Sequence, residues 1–271
     1  MTAVMGRLSA FARRDLLTAW SYRAAFLSDA FNLVFQIAMF YFLGKMVDPA
    51  TLPQYGSRPT TYLEFASVGI VLGAFMGLGM GKTSTALRQE QLAGTLESLL
   101  MTPVRPWVIQ LGLASYDLIY VPLRTGLFLG ALALILDVRF LWSGIPAALM
   151  ILLAFIPFVW GLGMIGAAAI LTFKRGGGLV GIVAAAISIT SGAYFPLSLF
   201  PDWLRTLAES NPVGLAFEGT RQALLGGATI PDVIGQVGVI LLWAVGSLAV
   251  GQLAGSIALA RERRRGTLIT Y

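Results

Sequence analysis

The strongest constraint in this sequence is a run of 28 residues, 233–260, that contains no charged side chain. An apolar stretch of about 18 residues or more is long enough to cross the hydrocarbon core of a bilayer as a helix. The whole chain has the same character, because 57% of its 271 residues are hydrophobic and only 12% are charged. A soluble domain carries about 25% charged residues. The sequence therefore predicts an integral membrane protein.

Six apolar segments are each long enough to span a bilayer as a helix. They cover residues 24–46, 62–82, 107–136, 144–173, 177–200 and 233–260. The third contains the charged residues Asp117 and Arg124, and we expect Pro122 to kink it. We predict an all-α, polytopic membrane protein that forms one transmembrane domain, residues 1–271, with six transmembrane helices.

The distribution of basic residues predicts the orientation, because Lys and Arg collect in short cytoplasmic segments. With six spans, thirteen of the 19 basic residues fall on one side, five fall on the other, and Arg124 lies within a span. We therefore expect both termini in the cytoplasm and the chain in the inner (plasma) membrane. The net charge of +6 is explained by these cytoplasmic segments, so we expect no nucleic-acid partner.

A basic segment, residues 1–23, precedes the first span. Leu8 and Leu16 fall on one helical face, whereas Arg7 and Arg14 fall on the other. This pattern predicts an interfacial helix that lies on the inner leaflet and contacts membrane lipids. A basic tail with no fixed position is the alternative.

The composition excludes most enzymatic chemistry. The chain contains no His and no Cys, which are the usual ligands of transition metals and the usual members of catalytic triads and thiol sites. Residues 77–83, Gly-Leu-Gly-Met-Gly-Lys-Thr, are one residue too short for a phosphate-binding loop and follow an apolar helix instead of a strand. We expect no catalytic residue, no metal site and no cofactor-binding site in this chain.

Small residues recur every four positions in the second span, at Gly69, Gly73, Gly77 and Gly81. Small residues at this spacing allow another helix to approach closely within a membrane. The pattern therefore predicts a face for close helix packing.

The cytoplasmic segment after the second span, residues 83–106, is too long and polar for a simple hairpin. Gly94 is suited to end one helix, and Thr95 is suited to cap the next, with Glu97 in its first turn. The apolar side chains on one face of this segment are Leu92, Leu96, Leu99 and Leu100. Such a helix either docks into a groove on a partner protein or rests on the membrane surface, and the pattern leaves both interpretations open.

After the fifth span, residues 196–232 predict a folded extracellular cap. Pro196 and Pro201 break a helix there, and Trp203 suits the membrane interface. Two short amphipathic stretches follow, one with Leu204, Leu207 and Ala208 and one with Leu215, Ala216 and Phe217. We expect a re-entrant or surface-lying pair of helices.

Polar side chains within the spans are functional candidates, because an unpaired charge in lipid costs about 2.5–3.5 kcal/mol on insertion scales. Asp29, Asn32 and Gln36 share one face of the first span, and Asp117 and Arg124 share one face of the third. The first group either holds helices together or lines a substrate entrance. The second either forms a structural ion pair, with Asp29 as a candidate partner of Arg124, or recognises an anionic substrate.

Two segments together resemble the integral-membrane permeases of type-2 ABC exporters. The first is Glu-Gln-Leu-Ala-Gly-Thr-Leu-Glu at residues 90–97, followed by Leu99, Leu100 and Pro103. The second is Gly-Ala-Tyr-Phe-Pro at residues 192–196, followed by Trp203, Asn211, Pro212 and Arg221. The resemblance covers nearly the whole chain.

This resemblance implies a half-transporter that pairs with a second permease copy, as a homodimer, and with two copies of a separate ABC ATPase subunit that binds ATP and Mg. The residues that would couple the permease to the ATPase are Glu90, Gly94, Thr95, Leu96, Glu97 and Leu100. The transport path would run between the two permeases, lined by the second and fifth spans, beneath an extracellular gate. The candidate residues in the gate and cap are Tyr194, Phe195, Pro196, Asn211 and Pro212.

We therefore expect ATP-driven export, by alternating access, of a hydrophobic or amphipathic substrate such as a drug, a lipid or a lipid-linked molecule. A polysaccharide or glycolipid exporter of the same family is the alternative, and the sequence shows no carbohydrate-binding domain to support it. A proton-coupled secondary transporter is a more distant alternative, because Asp117 is the main deep acid and His is absent. An intramembrane enzyme and a purely structural subunit are the remaining classes.

Overall fold

The computed structural model describes residues 23–49, 52–56, 59–94, 106–136, 138–173 and 177–265. Across these ranges the chain forms eight α-helices and no strand. They are α1 (Arg23–Gly44), α2 (Tyr62–Leu92), α3 (Pro106–Ile135), α4 (Ile145–Phe173), α5 (Gly177–Thr190), α6 (Asp202–Ser210), α7 (Pro212–Leu224) and α8 (Ile230–Arg265). Short 3-10 turns lie before α4, at Trp142–Gly144, and before α6, at Leu197–Leu199. The interfacial helix expected over residues 1–23 lies outside the described residues, apart from Arg23 at the start of α1.

The helices have the length and composition of a membrane protein. Within the described ranges, the helices long and apolar enough to cross a bilayer are Tyr62–Glu90, Trp142–Phe173 and Ile230–Arg261. Two shorter apolar helices are Tyr120–Leu134 and Gly178–Thr190. The prediction of an all-α chain with apolar membrane-spanning helices is confirmed, whereas the count of six spans stays a prediction.

The second helix is longer than predicted. α2 begins with a capping box, in which the Thr61 backbone N–H donates to Glu64 Oε2 (2.9 Å) and the Glu64 backbone N–H donates to Thr61 Oγ1 (3.3 Å). It continues through the polar residues 82–92 before Gly94, which has a φ of +73°. Because this left-handed conformation suits glycine, the helix ends where the sequence indicates a break. With 31 residues, α2 is about 46 Å long.

The fifth helix is shorter than predicted, because it ends at Thr190 instead of residue 200. Gly192 has a φ of +80°, and the Ala193 backbone N–H donates to the Ser188 carbonyl (3.1 Å) in the turn that ends the helix. The 14 residues of α5 span about 21 Å, less than a hydrocarbon core of about 30 Å. The apolar pattern overestimates this helix because apolar residues continue through the turn.

The core is built around α4, which packs against α2, α7 and α8. Its largest side chains are aromatic. The ring of Phe155 lies 5.8 Å from that of Phe75 on α2, 6.0 Å from that of Phe158 and 6.5 Å from that of Phe217 on α7. Burial of these rings accounts for much of the apolar packing between the three helices.

Glycines on α4 bring its neighbours close. A methyl carbon at Gly161 would lie 2.3 Å from Ser247 Oγ on α8, and one at Gly166 would lie 2.3 Å from Ser84 Oγ on α2. The Ser84 hydroxyl donates to the Gly163 carbonyl (3.0 Å) across the same contact. The tightest contacts between the long helices therefore rest on α4, whose glycines the sequence analysis did not single out.

The glycine face predicted on α2 is only partly a packing face. A methyl carbon at Gly69 would overlap the Ala193 carbonyl, and one at Gly73 would lie 3.5 Å from Ser188 Oγ. At Gly77 and Gly81, in contrast, it would meet nothing within 4 Å. The periodicity continues along the helix, but its neighbour α5 contacts only one part of it.

Candidate functional site

The candidate site lies where α2 begins, α5 ends and α7 inserts between them, and we call this the α7 end of the bundle. The opposite end, where α2 stops, is the Gly94 end. The central residue of the α7 end is Arg221, whose side chain is only 2% exposed. Its Nε donates to the Phe65 carbonyl on α2 (3.1 Å), and its guanidinium lies 3.7 Å from the centre of the Phe65 ring. One buried cation is thus held by both the backbone and the side chain of one residue of α2.

The same guanidinium also holds the turn that follows α5. Arg221 Nη2 donates to the carbonyls of Gly192 (2.8 Å) and Ala193 (3.0 Å). The Ala193 carbonyl reaches this position only because Gly69 has no side chain, since a methyl carbon there would lie 1.8 Å from the carbonyl oxygen. Arg221 therefore joins α2, α7 and the turn after α5 at one point.

A chain of hydrogen-bonded polar side chains begins beside this cation. The Tyr55 hydroxyl donates to Glu218 Oε2 (2.7 Å), and Gln222 Nε2 donates to Glu218 Oε1 (3.2 Å). Gln236 Nε2 on α8 then donates to Gln222 Oε1 (3.1 Å). The chain connects the loop before α2 with α7 and α8.

Burial and charge act in opposite directions in this cluster. Burial lowers the pKa of the Arg221 guanidinium, whereas Tyr55 and Glu218 raise it. Burial raises the pKa of the Tyr55 hydroxyl, and the Glu218 carboxylate raises it further. The hydroxyl therefore stays protonated and donates a hydrogen bond to the carboxylate, which supplies a negative charge near the buried cation.

The three gate candidates after α5 have different surroundings. The ring of Tyr194 stacks on that of Phe40 in α1, with 5.2 Å between centroids and 12° between planes. The carbonyl of Tyr194 accepts a hydrogen bond from the Tyr62 hydroxyl (3.0 Å). Phe195 is 48% exposed, and Pro196 is buried at the start of the 3-10 turn. Phe195 is therefore the bulky candidate whose ring is accessible.

Asn211 and Pro212 form the start of α7. The Asn211 side chain caps the helix by accepting from the Val213 backbone N–H (2.9 Å), and Pro212 occupies the first helical position. Asn211 Nδ2 also donates to Ser191 Oγ (2.8 Å) at the end of α5. These residues thus fix the position of α7 relative to α5.

The predicted coupling residues lie at the Gly94 end. Glu90 lies in the last turn of α2, which ends at Leu92. Gly94 follows with a left-handed backbone conformation. Thr95, Leu96, Glu97 and Leu100 lie outside the described residues. Along the chain, Gly94 therefore lies between Glu90 and the other four predicted coupling residues.

The intramembrane polar residues are only partly described. Asn32 is exposed on α1, and the side chains of Asp29, Gln36 and Asp117 lie outside the described ones. Arg124 is 7% exposed, and its guanidinium lies 5.0 Å from the centre of the Phe128 ring, one turn further along α3. The predicted pairing of Asp29 with Arg124 stays a prediction.

In the sequence, Arg221 stands out only as part of a motif, and the six-span arrangement places it outside the membrane. One signal for its burial was present. Arg221 follows Phe217 by four residues and precedes Leu224 by three, so it shares the apolar face of α7 with them. Tyr55, Glu218, Gln222 and Gln236 gave no comparable signal, because their contacts join distant parts of the chain.

The acidic side chains of the described residues are not grouped as metal ligands. Within the part of the chain that the structure describes, no group of three or more His, Cys, Asp or Glu residues is placed to hold a metal ion. Arg221 Nε and Nη2 donate to main-chain carbonyls. The arrangement joins helices at one end of the bundle.

Comparison with known proteins agrees with this architecture. Residues 7–225 match the ABC-2 type transporter family. This chain belongs to that family. Together with its apolar helices, this membership identifies a membrane protein of the ABC-2 transporter type.

A more specific comparison covers less of the chain. Over 109 residues the sequence is 29% identical to the "Linearmycin resistance permease protein LnrN" of Bacillus subtilis (strain 168). The match spans 40% of this chain and 28% of that relative. The relative's name describes a resistance permease.

Proposed function

We propose that this chain is the permease of an ATP-driven exporter that moves a hydrophobic or amphipathic substrate out of the cytoplasm or the inner leaflet. The family match over residues 7–225 carries this proposal. Two copies of the permease, as a homodimer, and two copies of a separate ABC ATPase form the complete transporter. ATP and Mg bind to the ATPase subunits.

In this proposal the α7 end is extracellular and the Gly94 end is cytoplasmic. The excess of basic residues on the side of the Gly94 end supports this orientation. α1, α3 and α5, the last together with the apolar turn that follows it, then complete six crossings with the three long apolar helices, in the inner membrane. Both termini lie in the cytoplasm.

The segment around Gly94 is the proposed contact with the ATPase. α2 reaches from the α7 end to Leu92 as one unbroken helix, and the left-handed backbone at Gly94 interrupts the helical geometry after it. A segment placed after such a break can transmit a displacement to α2. The coupling residues of this proposal are Glu90, Gly94, Thr95, Leu96, Glu97 and Leu100.

The surface of α5 supports a path between two permeases. Val180, Ala184 and Ser188 form a narrow buried stripe at intervals of four residues, whereas Ile182 and Val183 are exposed. A helix with one buried stripe and an otherwise apolar, exposed surface is available to a second copy, to lipid or to substrate. Tyr194, Phe195 and Pro196 form the proposed gate above it, next to Asn211 and Pro212.

The substrate class rests on the relative. Its name associates it with resistance to linearmycin, which favours a drug-like or lipid-like substrate over a polysaccharide or glycolipid. In the spans, Arg124 is buried beside an aromatic ring, and we assign it to a structural pair. Asp29, Asn32, Gln36 and Asp117 are proposed to stabilise helix contacts or line the substrate entrance.

Affinity purification from the native membrane in mild detergent tests the assembly. We expect an ATPase subunit to co-purify in equal stoichiometry and the eluate to hydrolyse ATP. A permease that elutes alone and without ATPase activity would overturn the exporter assignment. Expression with and without the ATPase gene, followed by growth on linearmycin and on other hydrophobic drugs, then tests the substrate class.

A further inference from the structure

We propose that Arg221 is a positioning residue that fixes α2, α7 and the turn after α5 (residues 191–194) into one unit, so that the three move together when the permease changes state. This inference rests on the proposed ATP-driven cycle. It assigns no contact with substrate to Arg221. It predicts that α2, α7 and residues 191–194 stay in contact with one another within each permease.

Three acceptors of Arg221 are main-chain carbonyls. Arg221 donates to the main-chain carbonyls of Phe65, Gly192 and Ala193. A side-chain acceptor can follow a moving donor by rotating, whereas a main-chain carbonyl moves only with its own helix or turn. Since hydrogen bonds weaken steeply beyond about 3.5 Å, even a small separation of α2 from α7 would break these contacts.

Arg221 is also deeply buried. The Arg221 side chain is 2% exposed, so water does not replace a broken hydrogen bond. A separation within this unit would remove main-chain acceptors from a buried cation, which is strongly unfavourable. Movement of the whole unit avoids this loss.

The same elements are also joined by contacts in which Arg221 takes no part. The Tyr62 hydroxyl on α2 donates to the Tyr194 carbonyl (3.0 Å), and Asn211 Nδ2 at the start of α7 donates to Ser191 Oγ (2.8 Å). Gly69 packs directly against the Ala193 carbonyl. The joint is therefore held at several positions around Arg221.

The length of α2 determines how far a displacement is transmitted along the molecule. From Phe65 to Leu92, α2 extends for about 40 Å at 1.5 Å per residue. A displacement at the Gly94 end would therefore carry α7 and residues 191–194 with it. The gate would open between two permeases and not between α2 and α5 of one permease.

Distance measurements between spin labels test this inference. The natural chain contains no Cys, so labels attach only at Ile189→Cys on α5 and Glu209→Cys on α6, both exposed positions, where α6 packs against α7. One labelled permease per complex is obtained by mixing with excess unlabelled chain. We expect the same narrow distance distribution in the assembled transporter without nucleotide and with ATP trapped by vanadate.

In the same label pair, Arg221→Met should broaden or shift the distribution, because the joint has lost its donors. A change of the natural distance on trapping would overturn the inference, as would an unchanged narrow distribution in the Arg221→Met variant. Labels at Ile189→Cys alone, on both copies, report on the distance between permeases. If that distance does not respond to trapping, the proposed ATP-driven function fails, while the comparison of Arg221→Met with the natural residue still tests the joint.

A second variant keeps the inference testable if Arg221→Met does not fold. A methyl carbon at Gly73 would lie 3.7 Å from Ser188 Cβ, close to the mean of about 3.8 Å between Cβ atoms of a disulfide. The pair Gly73→Cys and Ser188→Cys therefore links α2 to α5. We expect the oxidised and reduced complexes to hydrolyse ATP at equal rates, and a loss on oxidation that reduction restores would overturn the inference.

Discussion

At the residue scale, Arg221 is stabilised by partners that belong to three different segments. Breaking a buried charged pair by removing one partner typically costs about 3–5 kcal/mol. Here the acceptors of the cation are main-chain carbonyls on α2 and after α5, with Glu218 as the nearby countercharge. Because each acceptor is part of the backbone, these hydrogen bonds form only when α2 and the turn after α5 have the right position relative to α7.

Substitution of Gly69 tests how much the stability of the protein depends on the close contact between α2 and the turn after α5. Gly69→Ala should destabilise the permease by about 1–3 kcal/mol, because its methyl group would overlap the Ala193 carbonyl and force α2 away from the turn. The measurement is the midpoint of thermal unfolding in detergent. Gly77→Ala is the matched control in the same helix, because a methyl group there meets nothing within 4 Å.

The control should be neutral or should stabilise the protein by up to about 1 kcal/mol, since alanine favours the helix more than glycine does. Equal shifts in the two variants would show that the close approach of Ala193 to Gly69 does not limit stability.

At the element scale, α2 determines the geometry of the molecule. It contacts α1, α3, α4, α5 and α7, and its two ends are determined by local signals. A capping box starts it at Thr61 and Glu64, and the left-handed Gly94 follows its last turn. One helix thus joins the proposed cytoplasmic contact to the Arg221 cluster.

Charge reversal after this break tests the coupling proposal. Glu97→Lys should leave the permease in the membrane but reduce co-purification of the ATPase and its stimulated turnover, because reversing the charge weakens the docked segment. Glu209→Lys, at an exposed position of α6, is the control for a general charge effect. Normal co-purification and normal turnover of the Glu97→Lys complex would contradict the assignment of this segment as the coupling contact.

At the scale of the whole molecule, orientation is the central prediction. Because the chain contains no natural Cys, a single introduced cysteine is the one site in the permease that a thiol reagent labels. Glu209 and Arg261 are exposed, and the proposed topology places them on opposite sides of the membrane. A membrane-impermeant maleimide should label Glu209→Cys on intact cells and Arg261→Cys only after permeabilisation. Labelling of Arg261→Cys on intact cells would contradict the six-span arrangement with cytoplasmic termini.

Much of the fold was predictable from local pattern. The long uncharged runs predict helices in a membrane, and Gly94, Asn211 and Pro212 mark helix ends because capping and left-handed conformations depend on near neighbours. The predicted ends of the second and fifth spans were wrong because they were drawn from hydropathy. Hydropathy does not detect that α2 continues into polar residues or that the apolar chain turns at Gly192.

The sequence by itself determined the class of molecule, the approximate positions of its helices and the family resemblance that the comparison confirmed. Only the tertiary structure decided where Arg221 lies and what it does. Its acceptors are 156 residues away at Phe65 and 29 residues away at Gly192, so no local pattern specifies them. Hydropathy and helix capping depend on neighbouring residues, whereas a buried cation depends on which distant carbonyls the packed helices bring within hydrogen-bonding distance.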